Sequence, residues 1–268
     1  AIKSYSEGNK MYKKRVVFFI DILGFAAKVE KASKDADLMK KIVECLEKIE
    51  VYSSQNDEPN KSFFYNLIKG NGLPASDLQV LTFSDSLVAS VSCDQPEAAV
   101  LLCMEIQSLQ YELMKVGLLI RGAAHVGDMV HRANGIMFGP AFNYAYKLES
   151  NIAVNPRVII SKDLMHHIAR LGQTTVNKLL SNDTFTEFCD GPYGINTYKW
   201  IRLTMDAQTA GYPLHILNKH IADLNEEIEN YRDNPNVFSK LSWHRDMVVE
   251  HIKADKNYRV MKGKIRGI

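Results

Sequence analysis

The ten residues LTFSDSLVAS, Leu81 to Ser90, decide how this chain is read. An apolar strand, a one-turn reversal carrying Asp85 and a second apolar strand make a β-hairpin with an acid at its tip. A carboxylate placed by two buried strands is held rigidly at a sheet edge, which suits a metal ligand better than a solvated loop residue. Upstream, RVVFFIDILGF (Arg15 to Phe25) runs five apolar residues into Asp21, ahead of a Leu-Gly-Phe. Two strand-borne acids then share one end of a sheet. With oxygen ligands only, such a pair would hold Mg²⁺ or Mn²⁺ against a nucleotide's phosphates. Taken singly, Asp21 reads better as a helix cap and Asp85 as a turn residue.

Outward from the hairpin, periodicity gives the other elements. Val16 to Ile20 is a continuous apolar run, which predicts a strand buried on both faces. Gly24 lets the backbone approach a ligand, and the amides opening the next helix point at phosphate oxygens. Leu38, Ile42, Leu46 and Ile49 recur at helical spacing between Asp37 and Tyr52, and SSQNDEPNKS follows as a loop. Asp94, Pro96 and Glu97 open a long helix with the stripe Ala99, Leu102, Cys103, Ile106, Leu109, Leu113 and Val116. Leu118 to Val126 is a strand, a glycine-punctuated crossing leads to a helix from about Pro140, RVIIS at 157 is a strand, and DLMHHIARL is a short helix. TYKWIRL is expected to close the sheet. The order predicts an α+β fold with an antiparallel hairpin, not an alternating doubly wound sheet.

After about residue 211 the pattern is helical only. Leu217, Ile221, Leu224, Ile228 and Tyr231 alternate spacings of three and four, and a second run follows Pro235 through Trp243, Val248 and Ile252. The expected division is a basic arm at 1–14, a catalytic domain at 15–205 and a helical extension at 212–268. The last 17 residues carry six Lys or Arg against one Asp, the composition of a solvated tail.

Composition excludes several classes. A net charge of +2 gives no global basic field for nucleic acid. Cys45, Cys93, Cys103 and Cys189 lack C-x-x-C spacing, as expected of a reduced compartment, and no apolar run reaches the ~18 residues of a membrane span. Without a signal-peptide pattern at the N-terminus, a cytoplasmic location is expected. His125 on an apolar strand reads as a satisfied core residue, the adjacent His166 and His167 complete no zinc set, and Tyr65, Tyr144 and Tyr146 read as packing residues, any of which would also suit a base pocket. Arg121 inside a strand must find a partner, in a ligand or a second subunit.

Four stretches in fixed order carry a resemblance: FIDILGF, the hairpin Asp85, GAAHVG at 122–127 and GPAFNYAYKLES at 139–150. Together, over roughly residues 15–202, they resemble the class III nucleotidyl cyclases, whose pattern is F-x-D-I-x-G-F, a hairpin Asp, an H-x-G strand and G-x-x-x-N-x-A-x-R-x-E-S. Within that superfamily they look most like the bacterial pyrimidine cyclases of the Pycsar anti-phage systems. The resemblance implies a ferredoxin-like, palm-related sheet with flanking helices and a homodimer with sites across the interface. It implies two divalent cations, Mn²⁺ or Mg²⁺, held by Asp21, the Ile22 carbonyl and Asp85. The amides of Leu23, Gly24, Phe25 and Ala26 would cradle the triphosphate, with Arg132 near a phosphate-binding position, and Asn143 would orient the ribose.

The departures are informative. Lys147 stands where the family has a transition-state arginine, a point charge in place of a planar fork. Leu81 and Ile136 occupy the two purine-reading positions, and neither can hydrogen-bond a purine edge. The family's late phosphate lysine has no match in FCDGPYGINTYKW. The expectation is therefore a uridylate or cytidylate cyclase, UTP favoured over CTP, making a cyclic pyrimidine monophosphate as an anti-phage signal. The alternatives are a cyclase-fold protein that binds nucleotide or a partner without turnover, and a purine cyclase.

Overall fold

A computed structural model describes residues 11–53, 77–94, 96–170, 184–201, 203–204 and 212–268. Tyr65, the SSQNDEPNKS loop after its first residue, Ser53, and most of the basic arm lie outside the described residues. The chain order is β1 (Lys13–Ile22), α1 (Phe25–Ala32), α2 (Ala36–Ser53), β2 (Gln79–Phe83), β3 (Ser86–Ser92), α3 (Pro96–Lys115), β4 (Ile120–His131) and β5 (Met137–Phe138). There follow α4 (Pro140–Asn151), β6 (Val158–Ile160), α5 (Lys162–Ala169), β7 (Phe185–Glu187), β8 (Tyr193–Ile195), β9 (Leu203–Thr204) and β10 (Tyr212–Pro213). Three helices end the chain: α6 (Leu214–Asn230), α7 (Pro235–Ala254) and α8 (Tyr258–Met261).

The main sheet runs β2-β3-β1-β4-β6-β8-β7, with β5 folded back on β4. Its first four strands each run antiparallel to their neighbours and are joined through two helical crossovers, the β-α-β-β-α-β arrangement of a ferredoxin-like core. The fold is α+β, a mixed sheet with flanking helices. β1 lies between β3 and β4 and is buried on both faces. Val16, Phe18, Ile20 and Ile22 enter the core under α3, while Val17 and Phe19 pack with Ala141 and Ala145 of α4 on the opposite face. That two-sided burial is why its sequence shows no polar alternation.

TYKWIRL does not close the sheet. Thr197–Trp200 is a 3₁₀ turn, and β9 pairs in parallel with β10 in a separate two-stranded ribbon. Thr197 and Tyr198 are neighbours and both buried, which period-two alternation of a half-buried strand does not allow. The edge is the β7–β8 hairpin, whose three-residue strands are too short to show periodicity.

The C-terminal helices share a core with the sheet domain. Leu217, Ile221, Leu224 and Ile228 of α6 and Leu241, Val248 and Ile252 of α7 pack with Tyr111, Met114, Leu119 and Tyr198. The basic tail returns onto this core instead of trailing in solvent: Met261 and Ile265 are buried, and Asn218 and Asn225 of α6 donate to the carbonyls of Lys264 and Gly267. Its apolar residues at 261 and 265 recur at helical spacing and outweigh its charge.

One polar chain crosses the seam. Tyr198 donates its hydroxyl to the Pro156 carbonyl at 3.0 Å, so His244 Nδ1–H donates to that hydroxyl at 2.7 Å, and His220 Nε2–H donates to His244 Nε2 at 3.0 Å. This arrangement of protons satisfies these three links while both imidazoles stay neutral.

Candidate active site

β1 ends where the β2–β3 hairpin turns, and this brings Asp21 and Asp85 together. Asp21 pairs in register with Ser86 on β3 and with Arg121 on β4, and the Ile22 amide donates to the Asp85 carbonyl at 3.0 Å. The hairpin is tight enough to put Ser84 at φ +55°, the left-handed region that a serine rarely adopts. Burial pushes the Asp21 carboxyl up to about 6, the charge of Asp85 adds to it and Glu149 adds further, against the pull of Arg121. Two carboxylates that repel at one sheet end are a charge problem that a cation relieves.

Among the described residues no cluster of three or more His, Cys, Asp or Glu side chains forms. A cation at Asp21 and Asp85 would take two carboxylates, with the Ile22 carbonyl, phosphates and water as further ligands. That all-oxygen, carboxylate-poor set fits Mg²⁺ or Mn²⁺ and not Zn²⁺.

Gly24 is exposed at φ +68° and precedes α1, which no side chain caps. The amides of Phe25 and Ala26 are therefore open to a phosphate, next to the two acids. The Leu23 amide is not, because it donates to the Leu119 carbonyl at 2.8 Å; the expected cradle shortens to Gly24, Phe25 and Ala26. The Leu23 side chain packs against the C-terminal core, and Lys28 of α1 pairs with Glu227 of α6 at 3.3 Å. The expected cradle thus touches the helical extension, a contact that nothing in the sequence signals.

Arg121 finds its partner inside the chain. Its Nε donates to Asp21 Oδ2 at 3.4 Å and lies 2.6 Å from Glu149 Oε1, an ion-pair contact without hydrogen-bond alignment. Glu149 was not singled out by its residue type, yet it falls on the buried stripe Ala141–Ala145–Glu149, and that four-residue spacing is the signal that finds it.

Asn143 and Lys147 are exposed on α4, away from that stripe, so the structure does not bring them to Asp21 of the same chain. Tyr144 stacks near His125 at 4.3 Å between centroids, and Tyr146 meets Phe19 edge-on at 5.2 Å. His125 is buried and shares a hydrogen bond with Ser161 at 2.9 Å, as expected for a core histidine. Arg132 is exposed at the β4–β5 turn, its amide bonded to the Ile136 carbonyl. The same turn reaches Leu81: a side chain starting at Gly135 would stand 3.6 Å from Leu81 Cδ1. Leu81 and the Ile136 turn therefore share one neighbourhood.

No protein-family profile and no curated protein matches the chain. Among solved structures it is similar to a bacterial light-regulated adenylyl cyclase, at 14% identity over 69% of this chain and 91% of that one, with a TM-score of 0.40. It is also similar to the guanylyl cyclase domain of the RhoGC fusion protein from the aquatic fungus Blastocladiella emersonii (18%, 69% and 95%, TM-score 0.41). A third is the adenylyl cyclase CyaB from P. aeruginosa (18%, 69% and 94%, TM-score 0.38). At those TM-scores the likenesses decide nothing about the chemistry, which is left to the residues themselves.

Proposed function

We propose that the protein is a metal-dependent nucleotidyl cyclase that converts a pyrimidine nucleoside triphosphate to its 3′,5′-cyclic monophosphate and pyrophosphate. The observation that carries this is the pairing of Asp21 with Asp85 beside the uncapped start of α1. The ribose 3′-oxygen bonds to the α-phosphorus, the bond from that phosphorus to the bridging oxygen breaks, and the hydroxyl proton goes to solvent. Divalent cations at the acid pair would supply a lowered hydroxyl pKa and charge neutralisation along the triphosphate. The chain's own groups orient: the Phe25 and Ala26 amides bind phosphate oxygens, and Arg132, exposed at the β4–β5 turn that reaches Leu81, adds positive charge.

Asn143 and Lys147 would come from a second copy, two equivalent sites lying across a two-fold axis. Their outward position supports this, as do Phe138, Tyr144 and Tyr146, large rings left exposed on and just before α4. Mixing inactive Asp21→Ala and Asn143→Ala proteins should restore activity in verified heterodimers. No recovery there would place the site within one chain.

The apolar pair Leu81 and Ile136 offers no partner to an adenine or guanine edge, and each unsatisfied polar group costs ~1–3 kcal/mol. UTP or CTP should be turned over well above ATP or GTP, with UTP the first choice and anti-phage signalling the proposed role. Incubating the protein with all four triphosphates and Mn²⁺ and identifying products by mass tests both levels. Cyclic AMP or cyclic GMP in equal yield sinks the pyrimidine assignment alone, whereas no cyclic product from any triphosphate leaves the binding-only alternative that Lys147 suggests.

A further inference from the structure

Two carboxylates claim one nitrogen of Arg121, and only one of them is a candidate metal ligand. Glu149 is 2% exposed, its second oxygen accepts from the Ser150 hydroxyl at 2.9 Å, and no step of the proposed reaction uses it. A carboxylate is retained in so buried a place only with a partner, and Arg121 is that partner. The terminal nitrogens of Arg121 make no hydrogen bond among the described residues. We propose that Arg121 is a built-in counter-ion for Asp21, displaced when a divalent cation arrives, and that Glu149 is the positioning residue that receives it. The inference rests on the metal-site reading of Asp21 and Asp85.

Without a cation, Asp21 and Glu149 share a single guanidinium, and the charge of Asp85 bears on Asp21 beside it. A cation on Asp21 repels that guanidinium, and the shorter of its two contacts, to Glu149, is where it goes. Held there by Nε, its terminal nitrogens stay free for a phosphate oxygen, the fork geometry that arginine offers and lysine does not.

The two partners should then act on metal affinity with opposite signs. Arg121→Gln removes the competitor, and Mn²⁺ should bind on the order of tenfold more tightly. Glu149→Gln leaves Arg121 with Asp21 alone, and Mn²⁺ should bind more weakly by a similar factor. The double variant should behave as Arg121→Gln, because without the arginine nothing needs receiving. A purely structural pair would instead weaken binding in both single variants.

The measurement is free Mn²⁺ by electron paramagnetic resonance, up to millimolar concentrations and without nucleotide, with thermal unfolding to confirm folding. Asp21→Asn is the control. If it binds Mn²⁺ as well as the wild-type chain, or the wild-type chain binds none, the metal-site reading fails and this inference with it. If the control loses binding while Arg121→Gln weakens or does not change it, the counter-ion role alone is overturned. Should Glu149→Gln fail to fold, the sign for Arg121→Gln decides by itself.

Discussion

The ionised form of Asp21 opposes folding. Its carboxyl sits at about 6 in the folded chain against 3.8 in an unfolded one, so between those values the folded state binds the extra proton. The stability this confers is complete below pH 3.8 and is lost as pH rises through 6, a window worth about 3 kcal/mol. Asp21→Asn should therefore melt higher than the wild-type protein at pH 7 without metal and lose that advantage near pH 4. Mn²⁺ should raise the melting temperature of the wild-type chain and not of the variant. At this scale the sequence spoke through residue type: the two acids that meet at one sheet end were legible, and Leu81 and the Ile136 turn do share one neighbourhood. The spent Leu23 amide was not legible, because a hydrogen-bond partner across the sheet leaves no local pattern, and Glu149 shows only through its four-residue spacing from Ala141 and Ala145.

Among the elements, α4 is set by Gly139. A Cβ there would stand 2.6 Å from Met129 Cα and 2.8 Å from the Asp128 carbonyl, at a φ of +145° that side chains avoid. Gly139→Ala should cost about 3 kcal/mol or more and loosen α4 from β4, read by denaturant unfolding; a loss under 1 kcal/mol would mean the two can separate cheaply. α3 and α4 were legible because each repeats its period and buries a defined face, and β1 and β3 because a continuous apolar run is what a strand buried on both faces requires. β7 and β8 have three residues each and no period to show, and TYKWIRL imitates a strand in composition while burying two successive side chains.

For the molecule as a whole, the helical extension is part of the sheet domain's support. Leu224→Ala should cost 2–5 kcal/mol, typical of a buried leucine, and because Leu23 lies against the same core it should also raise the KM for triphosphate more than it lowers kcat. The seam is also acid-sensitive. Burial holds His220 down at about 4 and His244 well below its ordinary value, with Asp223 opposing the shift of the first and the charge of His220 adding to that of the second. Both fold neutral, so the stability they contribute is present above pH 6.5 and lost as pH falls towards 4. His220→Gln should flatten that acid limb, which runs opposite in sign to that of Asp21. The seam holds one more property of practical use. Trp200, edge-on to Tyr111, and Trp243, against Tyr198 and beneath Arg157, are the only two tryptophans in the chain, and both belong to this one core. Tryptophan emission, excited selectively over that of tyrosine, therefore reports on the junction and not on the acid pair, so any change in it on adding a nucleoside triphosphate would be a signal that had travelled from the expected cradle to the helices.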